Sequence, residues 1–222
     1  MKHEFSISLM CADLLDLKKQ LEKLSEKADY FHVDIMDGHF CKNITLSPDF
    51  VKSIRPYAKL PIDTHLMCVN PNDFIEKCGK FGSDIITVHA ETINTDAFRV
   101  LNQIKSLGCK TGVVLNPATP LDYIKHYANR IDILTIMTVD VGYAGQSFIN
   151  EMLDKIEQAA RWKREHGFTY KIKIDGSCNE KTFSQLKAAG AEVFVLGHSG
   201  LFALDDDVSV AFDKMLDIFN KC

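Results

Sequence analysis

The sequence predicts a single (β/α)8 barrel spanning residues 1–222. Strand-like and helix-like segments alternate eight times over 222 residues, a spacing suited to that architecture. Several of the strands are apolar on both faces, as strands buried in a parallel sheet are. Polar side chains recur where these strands end, at the face on which such barrels carry their active sites.

Residues 5–9 (FSISL) alternate apolar and hydroxyl side chains, which is strand periodicity. Leu14, Leu17, Leu21 and Leu24 recur at spacings of three and four, so a helix is expected there, with Asp13 as its N-cap. Residues 30–36 (YFHVDIM) form the second strand, and Ser47-Pro48 marks the next helix start, an N-cap followed by proline at the first helical position. Residues 61–67 read as a strand, and 71–81 as a helix closed by Gly82. Strands at 84–89, 109–115, 131–139, 170–175 and 191–196 follow. They alternate with helices at 96–107, 120–127, 151–166, 179–189 and 205–219. No interdomain linker or low-complexity segment interrupts the rhythm.

Composition narrows the function. The chain is 46% hydrophobic and 25% charged, with a net charge of −4, which argues against a nucleic-acid-binding surface. No apolar run approaches the roughly 18 residues of a membrane span. The N-terminal Met1-Lys2-His3-Glu4 leads directly into strand-like sequence, so no signal peptide is expected. The seven cysteines include no CxxC pair and fit free thiols in a reducing, cytoplasmic compartment.

On the second strand, alternation puts His32, Asp34 and Met36 on one face and the apolar Phe31, Val33 and Ile35 on the other. An imidazole and a carboxylate two residues apart can hold a divalent cation together, or simply satisfy each other in a core. The polar strand ends, taken together, are Ser8, His32, Asp34, His65, His89, Asn116, Asp140, Asp175 and Ser199. Individually, His65 reads equally as a core histidine and Asp175 as a helix N-cap. Jointly, His32, Asp34, His65 and Asp175 make a four-ligand site for one divalent ion, with zinc, manganese, cobalt and iron all acceptable. His89 reads as a bystander or a partner to a ligand.

Glycines define a second constellation: Gly142-Tyr143-Ala144-Gly145 after strand 6, Gly176-Ser177 after strand 7, and Gly197-His198-Ser199-Gly200 after strand 8. They could serve only as tight turns. Loops after strands 7 and 8 commonly bind phosphate through backbone N–H groups, and residues 199–202 are placed to begin a short helix there.

The segments HVDIMDGHF (32–40), THLM (64–67), MTVDVGYAGQSF (137–148), KIDGS (173–177) and LGHSGLF (196–202) resemble the ribulose-phosphate 3-epimerase superfamily across nearly the whole chain. Within it, SLMCADLL (8–15), HAETIN (89–94), DGSCN (175–179) and GHSGLF (197–202) are most similar to the D-allulose-6-phosphate 3-epimerase branch. Ribulose-5-phosphate epimerases usually carry glycine where Ser177 stands. His198 replaces a threonine typical of the hexose branch, and Val141 and Ala90 each replace a usual proline.

The resemblance implies that His32, Asp34, His65 and Asp175 bind one divalent ion per subunit. Asp34 and Asp175 would also be the two acid/base groups. Ser8 and His65 would contact the sugar, and Gly142, Tyr143, Ala144, Gly145, Gly176, Ser177, Gly197, His198 and Ser199 the phosphate side of the substrate. The chemistry expected is C3 epimerisation of a phosphorylated ketose by two-base proton transfer through a cis-enediolate, walled by Met36, Met67 and Met137. The main expectation is D-allulose 6-phosphate and D-fructose 6-phosphate. The alternatives are ribulose-5-phosphate 3-epimerase and a non-catalytic sugar-phosphate-binding barrel. A small-molecule partner, a homo-oligomer, and no nucleic-acid or membrane partner complete the expectations.

Overall fold

The computed structural model describes residues 2–222. Its strands are β1 (Glu4–Ser8), β2 (Tyr30–Met36), β3 (Ile62–Met67), β4 (Ile85–His89), β5 (Lys110–Leu115), β6 (Ile133–Met137), β7 (Lys171–Asp175) and β8 (Val193–Leu196). They close a parallel barrel in chain order, with β8 returning to pair with β1. The helices α1 (Leu17–Leu24), α2 (Pro48–Ile54), α3 (Asn72–Phe81), α4 (Ala97–Ser106), α5 (Met152–His166), α6 (Phe183–Ala189) and α7 (Val208–Lys221) surround it. The main apolar core lies between barrel and helices, where Phe31, Val33, Ile62, Leu66, Ile86 and Leu134 are buried.

The expected helix over 120–127 is absent. Two short 3-10 turns, Leu121–Ile124 and Ala128–Arg130, stand in its place. Pro120 is the extended N-cap (ψ 154°) of the first of these turns. The buried residues that follow, Leu121, Ile124 and Tyr127, recur every third position, which suits a 3-10 repeat.

Three helices begin later than the sequence suggests, for one shared reason. Asp13 Oδ1 accepts from Leu15 N (2.9 Å), Asn179 Oδ1 from Lys181 N (3.0 Å), and Asp205 Oδ1 from Asp207 N (3.0 Å). Each side chain closes a turn two residues on and leaves the helix to start afterwards, at Leu17, Phe183 and Val208. Leu14 and Leu15 are consequently exposed. Ser47 does cap α2, accepting from Phe50 N (3.4 Å) ahead of Pro48.

At the N-terminal rim, the acid just before each even strand accepts the first free N–H of the odd strand beside it. Asp29 takes Phe5 N (2.9 Å), Asp84 takes Ile62 N (2.8 Å), Asp132 takes Thr111 N (2.8 Å) and Glu192 takes Ile172 N (2.9 Å). Tyr30, Ile85, Ile133 and Val193 plug the barrel just inside that rim. The opposite rim is left for chemistry.

Candidate active site and metal centre

Strand alternation turns His32 and Asp34 of β2, His65 of β3 and Asp175 of β7 into the barrel. The register pairs Asp34 with His65 and Met137 with Asp175, so the ligand candidates share one level. Each offers a donor atom, and these atoms lie within 4.8 Å of one another. His32 Nε2 is 3.2 Å from Asp34 Oδ1 and 3.4 Å from Asp175 Oδ2. His65 Nδ1 is 3.2 Å from Asp34 Oδ1 and 3.5 Å from Asp175 Oδ2. Ser8 donates to Asp34 Oδ2 (2.8 Å) from β1.

The donor set fits a divalent cation. His32 is fully buried, and its Nδ1–H donates to Asp63 Oδ2 (2.8 Å), which leaves the Nε2 lone pair facing the cluster with no hydrogen-bond partner. A histidine oriented by a carboxylate behind it, with its free nitrogen among two carboxylates and a second imidazole, is the usual arrangement around a divalent ion.

The electrostatics agree. Burial alone would raise the Asp34 and Asp175 carboxyls, yet the two imidazoles hold both far below the usual carboxylate range. Burial would depress His32, but Asp34 and Asp63 outweigh it and push the imidazole well above its ordinary value. Cation and proton thus compete for the same nitrogen lone pair.

Above the cluster opens a cleft of about 620 Å³. It is lined by Ser8, Asp34, His65 and Asp175 below, by Met36, Met67 and Met137 as an apolar wall, and by the glycine-bearing loops above. Gly142, Tyr143, Ala144, Gly145, Gly176, Ser177, Gly197, His198 and Ser199 all face it. Gly176 adopts φ +120°, and a Cβ there would meet the Val139 backbone N at 2.9 Å, so the close approach of these loops requires glycine. Ser177 is the only non-glycine residue at positive φ among those described (φ 49°), and its hydroxyl donates to Gln146 O. The helical turn expected at 199–202 forms over His198–Phe202 as a single wide turn. The loop after β6 is tied across the cleft: Asn43 Nδ2 donates to Gly142 O (2.7 Å) and Tyr143 OH to Lys42 O (2.6 Å).

Of the remaining strand-end residues, Asp140 lines the cleft, and Asn116 lies outside it, its backbone N–H donating to Glu91 Oε1 (3.0 Å). Sequence reasoning missed Asp63 and Lys173, an ion pair buried beneath His32, with Thr87 Oγ1 donating to Asp63 Oδ1 (2.6 Å). The signal was present: each lies two positions before a candidate ligand, Asp63 before His65 and Lys173 before Asp175, and hence on the same inward face. Gly112 makes room for Thr87, since a Cβ there would collide with its hydroxyl. Met10, Cys11, Gln146 and Cys178 also line the cleft.

Comparison with known proteins decides the family. Residues 4–202 match the model of the ribulose-phosphate 3 epimerase family. The chain belongs to that family. The ribulose-phosphate 3-epimerase of Synechocystis is 41% identical over 192 residues, which cover 86% of this chain and 84% of that protein. The Bacillus subtilis ribulose-phosphate 3-epimerase is 40% identical, covering 86% of this chain and 88% of that one. Among solved structures, KGPDC from Streptococcus mutans superposes with a TM-score of 0.74 at 10% identity, over 100% of this chain and 99% of that one, a likeness of fold. As a ribulose-phosphate 3-epimerase family member, the chain is an isomerase, a carbohydrate-phosphate 3-epimerase. The non-catalytic alternative is therefore set aside.

Proposed function

We propose that the chain inverts C3 of a ketose phosphate by two-base proton transfer between Asp34 and Asp175, and that its substrates are D-ribulose 5-phosphate and D-xylulose 5-phosphate. The observation that carries the mechanism is the approach of two carboxylates, from β2 and β7, to within 4.8 Å of each other and of two imidazoles at the cleft floor. Inversion needs a proton removed from one face of a flat intermediate and returned to the other. Two carboxyls from well-separated strands can do this if one is ionised when the other is protonated.

Asp34 is positioned for its share by Ser8 and by the Thr45 hydroxyl, which donates to the Asp34 backbone oxygen (2.6 Å). Acid–base catalysis of this kind is worth about 10²–10⁴-fold. His32, Asp34, His65 and Asp175 would hold the divalent cation. When bound, that ion supplies Lewis-acid stabilisation of the enediolate charge. Met36, Met67 and Met137 exclude water from the intermediate with polarizable thioethers. The glycine-bearing loops offer backbone N–H groups to the phosphate.

The pentose reading rests on relatives of 38–41% identity that bear the ribulose-phosphate epimerase name. A specific observation favours a second reading, the D-allulose 6-phosphate/D-fructose 6-phosphate pair. Ser177 holds a left-handed conformation where pentose epimerases usually have glycine, and its side chain enters the cleft wall.

The test compares kcat/KM for D-ribulose 5-phosphate and D-allulose 6-phosphate on the same preparation. A preference for the pentose of tenfold or more is expected, and the reverse preference would establish the hexose reading. Asp34→Asn and Asp175→Asn should each lose at least 10²-fold in turnover, about the low end of acid–base contributions. Near-normal turnover in either variant would sink the two-base mechanism. Chelation should silence the enzyme and re-addition of a divalent ion restore it.

A further inference from the structure

We propose that Glu91, acting through His89, sets the tautomer in which His65 can ligate a cation; this rests on His65 being a ligand. Neither residue lines the cleft, so both are positioning residues. His65 and His89 are fully buried, with ring centroids 5.0 Å apart and Nε2 atoms 2.9 Å apart, so the two rings meet edge to edge through those nitrogens. Two imidazole nitrogens at that distance share one proton: one donates and the other accepts.

To ligate through Nδ1, His65 must carry its proton on Nε2 and donate it to His89 Nε2. His89 must then carry its own proton on Nδ1. That nitrogen lies 3.4 Å from Glu91 Oε2; both are buried polar atoms with no hydrogen-bond partner elsewhere, so each is the nearest group that can satisfy the other. The other Glu91 oxygen, Oε1, accepts from Asn116 N (3.0 Å) and from the Thr119 hydroxyl.

These donors come from the loop that joins β5 to the 3-10 turn at Leu121–Ile124. Lys155 of α5 clamps that loop, donating to Asn116 O (3.0 Å) and Pro117 O (2.6 Å). The direction of donation therefore runs from His65 to a carboxylate fixed on the far side of β4.

Glu91→Gln tests the direction with little change of shape. Asn116 N–H requires an acceptor, so the glutamine oxygen stays there and its NH2 group faces His89 Nδ1. That forces His89 to accept on Nδ1 and donate from Nε2, which leaves His65 with a proton on the nitrogen that should bind the cation.

Two measurements on the full chain decide the matter. In ¹⁵N-histidine NMR of the wild type loaded with Zn²⁺, His89 should carry its proton on Nδ1 and His65 on Nε2; a His89 proton on Nε2 would overturn the proposal without any variant having to fold. In Zn²⁺ titration calorimetry, Glu91→Gln should bind about 10–100-fold more weakly than wild type, and Glu91→Asp should recover part of the loss. Equal Zn²⁺ affinity in wild type and Glu91→Gln overturns the relay alone. A wild type that takes up no Zn²⁺ overturns the reading of His65 as a ligand, and the relay with it.

Discussion

Lys173 and Asp63 show how much of the site lies beneath its visible ligands. Both are almost wholly inaccessible, at 1% exposure each, and they touch within the barrel where water cannot screen them. Asp63 also orients His32 and accepts from Thr87, so three donors converge on one buried carboxylate. Burial would raise its carboxyl, but Lys173 and His32 hold it well below the usual range. Removing one member of such a pair leaves an uncompensated charge, at a cost of about 3–5 kcal/mol. Lys173→Met should lose that much stability in urea unfolding, while a loss under about 1 kcal/mol would show that hydrogen bonds from His32 and Thr87 suffice to hold the Asp63 carboxylate. The ligands themselves were legible as residues in sequence. Asp63 and Lys173 share the inward strand face with His65 and Asp175, a signal that gains its meaning only once the closed barrel places them one layer below the site.

The repeated device at the scale of elements is the acid before each even strand. Asp29, Asp84, Asp132 and Glu192 satisfy the first N–H of β1, β3, β5 and β7 that the neighbouring backbone leaves free, at Phe5, Ile62, Thr111 and Ile172. Asp132 also accepts from the Thr111 hydroxyl (2.9 Å), which makes it the most informative of the four. Asp132→Ala should destabilise by about 1–3 kcal/mol, the cost of leaving a buried donor unpaired. Asp132→Asn keeps an acceptor and should recover most of this, with kcat unchanged in both because this rim is remote from the cleft. A fall in kcat beyond the loss of folded protein would contradict that separation. Strand and helix order was readable from periodicity, and the strand positions hold to within about two residues. Helix starts were misplaced wherever an Asx side chain closed a turn of its own, since an N-cap and an Asx turn share the same residue types.

At the scale of the molecule, acid stability draws on carboxylates from separate regions. Burial works against ionisation at Glu4, Asp37 and Glu91. In each case hydrogen bonds outweigh it: from Lys171 and Tyr30 at Glu4, from the backbone of Phe40, Val69 and His39 at Asp37, and from His89 and Thr119 at Glu91, which is held at about 2. A carboxyl depressed by folding stabilises the protein fully above its unfolded value, about 4.5 for Glu, and loses that contribution as pH falls through the folded value. Unfolding free energy should therefore decline between about pH 4.5 and 2, with Glu91 contributing about 2 kcal/mol after allowance for the solvent that reaches it. Urea titrations at stepped pH would measure the slope. A flat profile over that range would contradict it, and Glu91→Gln should remove its share of the decline.

The sequence by itself determined the barrel, the strand order and the residue types at each strand's C-terminal end, because these follow from local periodicity and from the rule that such barrels work at one face. It also supplied the His32–Asp34 pair, since residues two apart on a strand share a side. Which polar residues act together is a matter of how the barrel closes. Closing the barrel brings β2, β3 and β7 to one level and seats Asp63 and Lys173 beneath it. Closure also decides for His89, by sequence a bystander or a partner to a ligand, the second role, as the contact between His65 and Glu91. Those relations depend on register and ring orientation across different strands, and no local pattern along the chain encodes them.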